Sequence, residues 1–134
     1  MHNAPHPLDI KLRKRSRKLE ISFSDGQRFE LTAEYLRVFS PSAEVQGHGS
    51  GEGLLIAGKE AVNIEQIEPV GRYAVRLVFD DGHNTGLYTW PILYDLGLKH
   101  ESNWRRYLTR LEEAGQRRSA AKSNDEPQEY EEQS

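Results

Sequence analysis

The sequence predicts an α+β fold of small antiparallel sheets, made from two repeated strand-turn-strand-helix units and a C-terminal amphipathic helix. Three observations carry this prediction. Phe23-Ser24-Asp25-Gly26 recurs 56 positions later as Phe79-Asp80-Asp81-Gly82. Alternating residues precede each copy, Leu19-Glu20-Ile21-Ser22-Phe23 and Val75-Arg76-Leu77-Val78-Phe79, and a short apolar, helix-like run follows each. Asp-Gly between such runs favours a two-residue turn with positive φ, because glycine has no Cβ to clash there. On this superposition Leu31 falls on Leu87, while Gln27 follows the first turn glycine and His83 the second.

Ile10 and Leu12 alternate with charged residues, as do Leu19, Ile21 and Phe23, so a first hairpin closes near residues 14 to 17. Phe29 and Leu31 continue that sheet. Thr32 then caps a helical turn holding Tyr35, Leu36 and Phe39, which Pro41 stops. Residues 40 to 61 form a long irregular connection with Gly47, Gly49, Gly51, Gly53 and Gly58, interrupted by a short strand at Leu54-Leu55-Ile56. Val62, Ile64 and Ile67 lead to Pro69-Val70-Gly71, and Tyr73, Val75, Leu77 and Phe79 alternate as a strand up to the second turn. Leu87-Tyr88 completes the hairpin, Thr89 caps, Pro91 suits a first helical turn, and Ile92, Leu93 and Leu96 form an apolar stripe ended by Gly97. From Ser102, the spacing of Trp104, Tyr107, Leu108 and Leu111 predicts an amphipathic helix that ends at Gly115.

A chain of 134 residues fits one domain. The large apolar residues are concentrated between Leu8 and Leu111, with Tyr130 the one exception in the tail, so the expected organisation is a flexible N-terminus over 1–7, a domain over 8–115 and a disordered charged tail over 116–134. The tail runs from basic (Arg117, Arg118, Lys122) to acidic (Glu126, Glu129, Glu131, Glu132). With no cysteine, the chain supplies no disulfide, thiolate nucleophile, thiolate-bound zinc or iron–sulfur ligand. No apolar run approaches a membrane span and the N-terminus lacks a signal-peptide pattern, so the expectation is a soluble cytoplasmic protein with no membrane partner. A net charge of −3 argues against general polyanion binding.

Gly53 to Lys59 has the spacing of a phosphate-binding loop up to its lysine, but Glu60 stands where Ser or Thr would ligate magnesium. Gly47-His48-Gly49-Ser50-Gly51 lacks the glycine two before Ser50 that a nucleophile elbow needs. Lys11, Arg13, Lys14, Arg15, Arg17 and Lys18 could contact phosphates, yet charges on a hairpin's wet face also serve to keep an edge strand from pairing, and few aromatics interleave. His83 has the strongest claim to chemistry, since a turn on a rigid hairpin holds its imidazole and Asp81 lies close enough to orient it. With His48 and a carboxylate such as Asp81 or Glu44 it could form an N/O site for zinc or iron. The competing reading is a turn histidine bonded to local backbone.

The run Ile67-Glu68-Pro69-Val70-Gly71-Arg72-Tyr73-Ala74-Val75, followed by Phe79 to Trp90, closely resembles the gamma-butyrobetaine hydroxylase-like N-terminal domain family. Leu36-Arg37-Val38 and Ser40-Pro41-Ser42-Ala43-Glu44-Val45 resemble its small stand-alone bacterial members, and the likeness covers roughly residues 8 to 112. The resemblance implies a compact α+β domain. It also implies company, since similar domains precede the oxygenase domain of gamma-butyrobetaine and trimethyllysine hydroxylases, and others follow the P-loop domain of some iron–sulfur carrier proteins. In the hydroxylases such a domain binds structural zinc through three cysteines, in the loop after the first helix, and a histidine at the second turn. Here His83 matches, whereas the Ser40 to Glu44 neighbourhood brings no thiol. Oxygenase iron ligands, a 2-oxoglutarate pocket and a P-loop domain are not among these residues, so neither hydroxylase nor ATPase activity is expected.

The leading expectation is a non-enzymatic cytoplasmic accessory or interaction module with a protein partner, linked to iron–sulfur or redox metabolism by the family's fusions alone. Its contact surface would lie around Trp90, Tyr94, His83 and the Gly-rich loop. Its alternatives are a structural or carrier protein binding zinc or iron through His83 and His48, and nucleic-acid binding through residues 11–18. Catalysis ranks last, because no nucleophile-base pair or acid-base carboxylate pair can be assigned.

Overall fold

The alternating runs become strands in the computed structural model, which describes residues 4–41 and 55–116. β1 (Pro7–Arg13), β2 (Lys18–Phe23) and β3 (Arg28–Thr32) form an antiparallel sheet in that order and lead into α1 (Ala33–Val38). The pattern then repeats: β4 (Ile64–Val70), β5 (Ala74–Phe79) and β6 (Leu87–Thr89) form a second antiparallel sheet and lead into α2 (Trp90–Leu98). α3 (His100–Glu113) follows, completing the expected α+β arrangement. Each unit begins one strand before its Asp-Gly hairpin, and both first strands are irregular at the same place, between Pro7 and Asp9 and between Ile64 and Gln66. Pro69 is tolerated in β4 because that strand lies at the sheet edge. β1 starts at Pro7, one residue before the expected domain boundary, and His6 N–H donates to Ser24 Oγ at 3.1 Å.

The Asp-Gly turns differ from the two-residue form expected. Gly26 N–H donates to Phe23 O (3.0 Å) and Gly82 N–H to Phe79 O (3.1 Å). Phe23 N–H donates to Gln27 O (2.8 Å) and Phe79 N–H to His83 O (2.9 Å). Only the glycines take positive φ, +93° and +92°. Each turn is therefore a type I turn closed by a glycine bulge, which needs one left-handed residue instead of two. The aspartates keep an ordinary φ and accept the amide two residues on: Gln27 N–H to Asp25 Oδ1 and His83 N–H to Asp81 Oδ1, both 3.1 Å.

The register corrects the alignment of the units. Leu19 pairs with Leu31, and its counterpart Val75 pairs with Tyr88, so Tyr88 and not Leu87 matches Leu31. Burial agrees, with Leu31 and Tyr88 in the core and Leu87 36% exposed. The second unit carries one extra residue between its turn and β6, and residues 83–86 fall outside the ladder.

Leu19, Ile21, Phe23 and Leu31 of the first sheet meet Ile64, Val75, Leu77, Phe79 and Tyr88 of the second in one apolar cluster, sealed by Tyr35, Leu36, Leu93 and Leu96. Two buried tyrosines stitch the units together. Tyr35 OH donates to Leu96 O (2.7 Å) and accepts from Asn103 Nδ2 (3.0 Å), while Tyr88 OH donates to Leu36 O (2.5 Å). Burial pushes the Tyr35 phenol up to about 12 and raises that of Tyr88.

Both threonine caps form, with Thr32 Oγ1 accepting from Tyr35 N–H (3.1 Å) and Thr89 Oγ1 from Ile92 N–H (3.4 Å). Gly97 does not end α2. It lets the helix lie against Phe29, whose ring would be 2.4 Å from a Cβ there. α3 starts at His100, before the expected Ser102, and ends in a Schellman arrangement: Gly115 (φ +69°) N–H donates to Glu112 O and Gln116 N–H to Leu111 O. Its inner face is Asn103, Tyr107 and Leu111, whereas Leu108 is 40% exposed. Of the strand expected at Leu54–Ile56, residue 54 lies outside the described residues, and Leu55 and Ile56 are irregular, packing on Val38, Tyr107 and Leu111.

Candidate functional site

The second turn gathers the polar residues that the sequence marked. Asp81 Oδ2 lies 2.8 Å from Arg37 Nε of α1 and 2.7 Å from Lys59 Nζ of the segment before β4. Burial alone would raise the Asp81 carboxyl, but the Lys59 ammonium, the His83 amide and the Arg37 guanidinium outweigh it and hold it down to about 2. Arg37 is itself largely covered, and its Nη1 has no hydrogen-bond partner among the described residues. Next to this cluster His83 is 6% exposed and its Nε2 lies 3.0 Å from Oγ of Ser40, the residue that follows the C-cap of α1. The turn histidine is thus an interior side chain, and α1, the segment around residue 59 and the second turn converge on it.

The three residues expected to share one contact surface serve three parts of the fold. Trp90 Nε1 donates to Arg72 O (2.7 Å), at the β4–β5 turn. Tyr94 OH donates to Asp25 Oδ2 (2.5 Å) at the first Asp-Gly turn, lowering the Asp25 carboxyl and raising its own phenol. Its ring stands edge-on to Phe23 and Phe29. His83 is buried and offers little area to a partner. Arg37, Ser40 and Lys59 were not singled out as site residues; the register by which α1 faces the second turn is a tertiary property with no local sequence signal.

The basic run is mostly a sheet surface. Arg13 pairs with Glu20 (3.2 Å), Lys18 with Glu30 (3.4 Å) and Lys11 with Asp9 (3.7 Å). Lys14, Arg15 and Arg17 occupy the exposed β1–β2 turn, where Arg17 takes φ +58°.

Zinc held as in the hydroxylases would need three thiolates, and the chain has none. Among the described residues no group of three or more His, Asp or Glu is placed to hold a metal. Asp81 already lies between two cations, whose charge opposes a dication. The described residues do not fit the family's zinc set. His48, Glu44 and the Gly-rich stretch from Gly47 to Gly53 fall outside the described residues.

The outer faces of the two sheets differ sharply. Pairing of β1, β2 and β3 turns Asp9, Lys11, Arg13, Lys18, Glu20, Ser22, Arg28, Glu30 and Thr32 outward, all of them polar. On the second sheet the equivalent face carries Val70, Val78 and Leu87 together with Gln66, Thr89, the covered Ala74 and the Arg76–Glu68 ion pair (2.9 Å). Tyr73, 54% exposed, lies at its margin where Trp90 N–H donates to Tyr73 O.

Two sheet-and-helix units sharing one core, with the second turn locked onto the first helix, define a small α+β repeat domain. The chain belongs to the gamma-butyrobetaine hydroxylase-like N-terminal family, whose model matches residues 10–94. It is similar to a protein solved by NMR in solution, 51% identical, with 93% of this chain and 88% of that one covered at a TM-score of 0.75. A second NMR structure is 43% identical over 88% of this chain and 93% of that one, at a TM-score of 0.76. A crystal structure of a protein of unknown function from Acidithiobacillus ferrooxidans ATCC 23270, of the DUF971 family, is 42% identical over 68% and 91% of the respective chains, at a TM-score of 0.57. Comparison with curated proteins gives no match. Among the described residues no helix is long and apolar enough to cross a membrane.

Proposed function

We propose that this chain is a non-enzymatic cytoplasmic accessory module that binds a protein partner through the outer face of its second sheet. The contrast between two otherwise equivalent sheets carries the reading. The first sheet solvates its outer face with nine polar side chains, and the second carries half-buried Val70 and Val78 and exposed Leu87 among Gln66, Glu68 and Arg76, with exposed Tyr73 at the margin. Solvent-facing apolar side chains grouped on one sheet face mark contact sites in monomeric domains. Trp90 belongs to this reading as the residue that fixes the β4–β5 turn beneath Tyr73. Tyr94 and His83 act by shaping the fold. Similar domains fused to hydroxylases and iron–sulfur carriers make redox metabolism the first place to seek the partner.

The test compares affinity captures with the full chain, a Val78→Lys/Leu87→Lys variant and a Glu20→Ala/Glu30→Ala control, all checked for wild-type melting. The proposal expects a partner retained by wild type and control and lost from the lysine variant. The same proteins recovered with all three would overturn it.

A further inference from the structure

The β1–β2 turn presents Lys14, Arg15 and Arg17 to solvent, and among the described residues none of the three meets a carboxylate. The turn is held firmly. Arg17 N–H donates to Lys14 O (3.3 Å), Asn63 Nδ2 to the same oxygen (2.9 Å) and Ala33 N–H to Arg17 O (2.8 Å). Asp80, on the other side of Asn63, accepts that residue's N–H (3.0 Å) and leaves the three cations unneutralised. The cations of α3 are engaged by comparison: Arg105 pairs with Glu101 (3.5 Å) and Arg106 donates to Asn103 Oδ1 (3.3 Å).

A matching set of anions follows α3 in the sequence, beyond the described residues. Asp125, Glu126, Glu129, Glu131 and Glu132 stand within eight residues that hold no cation. Chain length brings them within reach of the turn. Leu111, near the end of α3, packs on Val38 at the far end of α1, and Ala33 at the near end of α1 carries the bond to Arg17 O. Those ends of α1 are about 8 Å apart at about 1.5 Å per residue, whereas the ten or so residues from Gln116 to Glu126 extend to about 33 Å. A tether of this kind gives an effective concentration of about millimolar, so individually weak charge pairs suffice. We infer that the acidic segment 125–132 docks on the β1–β2 turn of its own chain and covers Lys14, Arg15 and Arg17. The contact joins exposed charges and is therefore screened by salt. It closes to polyanions the cations that the basic run would offer a phosphate backbone, and an acidic competitor opens it.

The chain has no cysteine, so Gln133→Cys places a single nitroxide label beside Glu132 of the full chain. Amide NMR spectra are recorded with the label oxidised and reduced, at about 10 mM and about 1 M salt, between which the screening length falls from about 30 Å to about 3 Å. Selective loss of the amide signals of residues 14–17 at low salt, recovered at high salt, is the expected result. Lys14→Gln/Arg15→Gln and Glu126→Gln/Glu129→Gln/Glu131→Gln/Glu132→Gln should each weaken that loss, with the other amide shifts of the domain unchanged. Signal loss that is absent, centred on α3 or confined to residues beyond Gln116 would overturn the inference. So would loss at the turn that both sets of glutamine substitutions leave intact.

Discussion

Replacing Asp81 with Asn keeps the shape of the second turn and removes the charge that two cations share. The Asp81 carboxyl is held from 3.8 down to about 2. That gap of about 1.8 units corresponds to roughly 2.4 kcal/mol at about 1.36 kcal/mol per unit. The side chains of Asp81 and Lys59 keep 19% and 25% of their exposure, so solvent screens part of it and about 1–2 kcal/mol remains. Leaving the covered Arg37 cation without its carboxylate adds to the loss, for a total of about 2–3 kcal/mol at neutral pH. The sign of the pH effect follows from proton binding. Below the ordinary carboxylate range the unfolded chain takes up the proton first, so the contribution is complete above about pH 5 and fades as pH falls toward about 2. Urea unfolding of both proteins at about pH 7, 5, 3.5 and 2.5 reads this out, and their stability gap should narrow steadily below about pH 5. A gap that stays constant down to about pH 2.5 would refute the assignment of the carboxylate as the charged centre of the cluster.

Five further substitutions probe the frame that holds this site. Gly97→Ala improves intrinsic helix propensity by about 1 kcal/mol, yet its Cβ meets the Phe29 ring at 2.4 Å, and thermal melts should show a net loss of about 1–2 kcal/mol. Thr32→Ala should cost about 1 kcal/mol in denaturant unfolding and Thr89→Ala less, since their cap bonds measure 3.1 Å and 3.4 Å. Gly26→Ala and Gly82→Ala should destabilise alike, by about 1 kcal/mol each, because both glycines take positive φ and a Cβ meets nothing within 4 Å at either. Unequal losses in unfolding free energy would show that the two turns are not mechanically equivalent.

The repeat was legible because its signals are local. Asp-Gly, period-2 alternation and the two threonine caps each act within a few residues, and each formed at the place expected. The turn type was not legible, because Asp-Gly suits both a two-residue turn and a type I turn with a glycine bulge, and strand pairing chooses between them. The Leu31–Leu87 correspondence failed for a related reason: a one-residue insertion reverses every later side chain of a strand, and only the pairing of Val75 with Tyr88 reveals it. Gly97 looked like a helix stop because a C-terminal signal and a close-packing glycine read alike. At the candidate site His83 and Asp81 stood out by their turn, while Arg37 and Lys59 reached them across the fold. Trp90 and Tyr94 were marked as contact aromatics, and the bonds by which their polar atoms brace two turns, Trp90 to Arg72 O and Tyr94 to Asp25, had no local sequence signal.

The proposed partner site is the outer face of the second sheet. Methyl NMR of the full chain, recorded as the captured partner is added, tests it most directly. Selective shifts or broadening of the Val70, Val78 and Leu87 methyls, with the core methyls of Leu19 and Ile21 unchanged, is the predicted result. Perturbation centred on residues flanking the first sheet's charged face, with the Val78 and Leu87 methyls unmoved, would contradict the account.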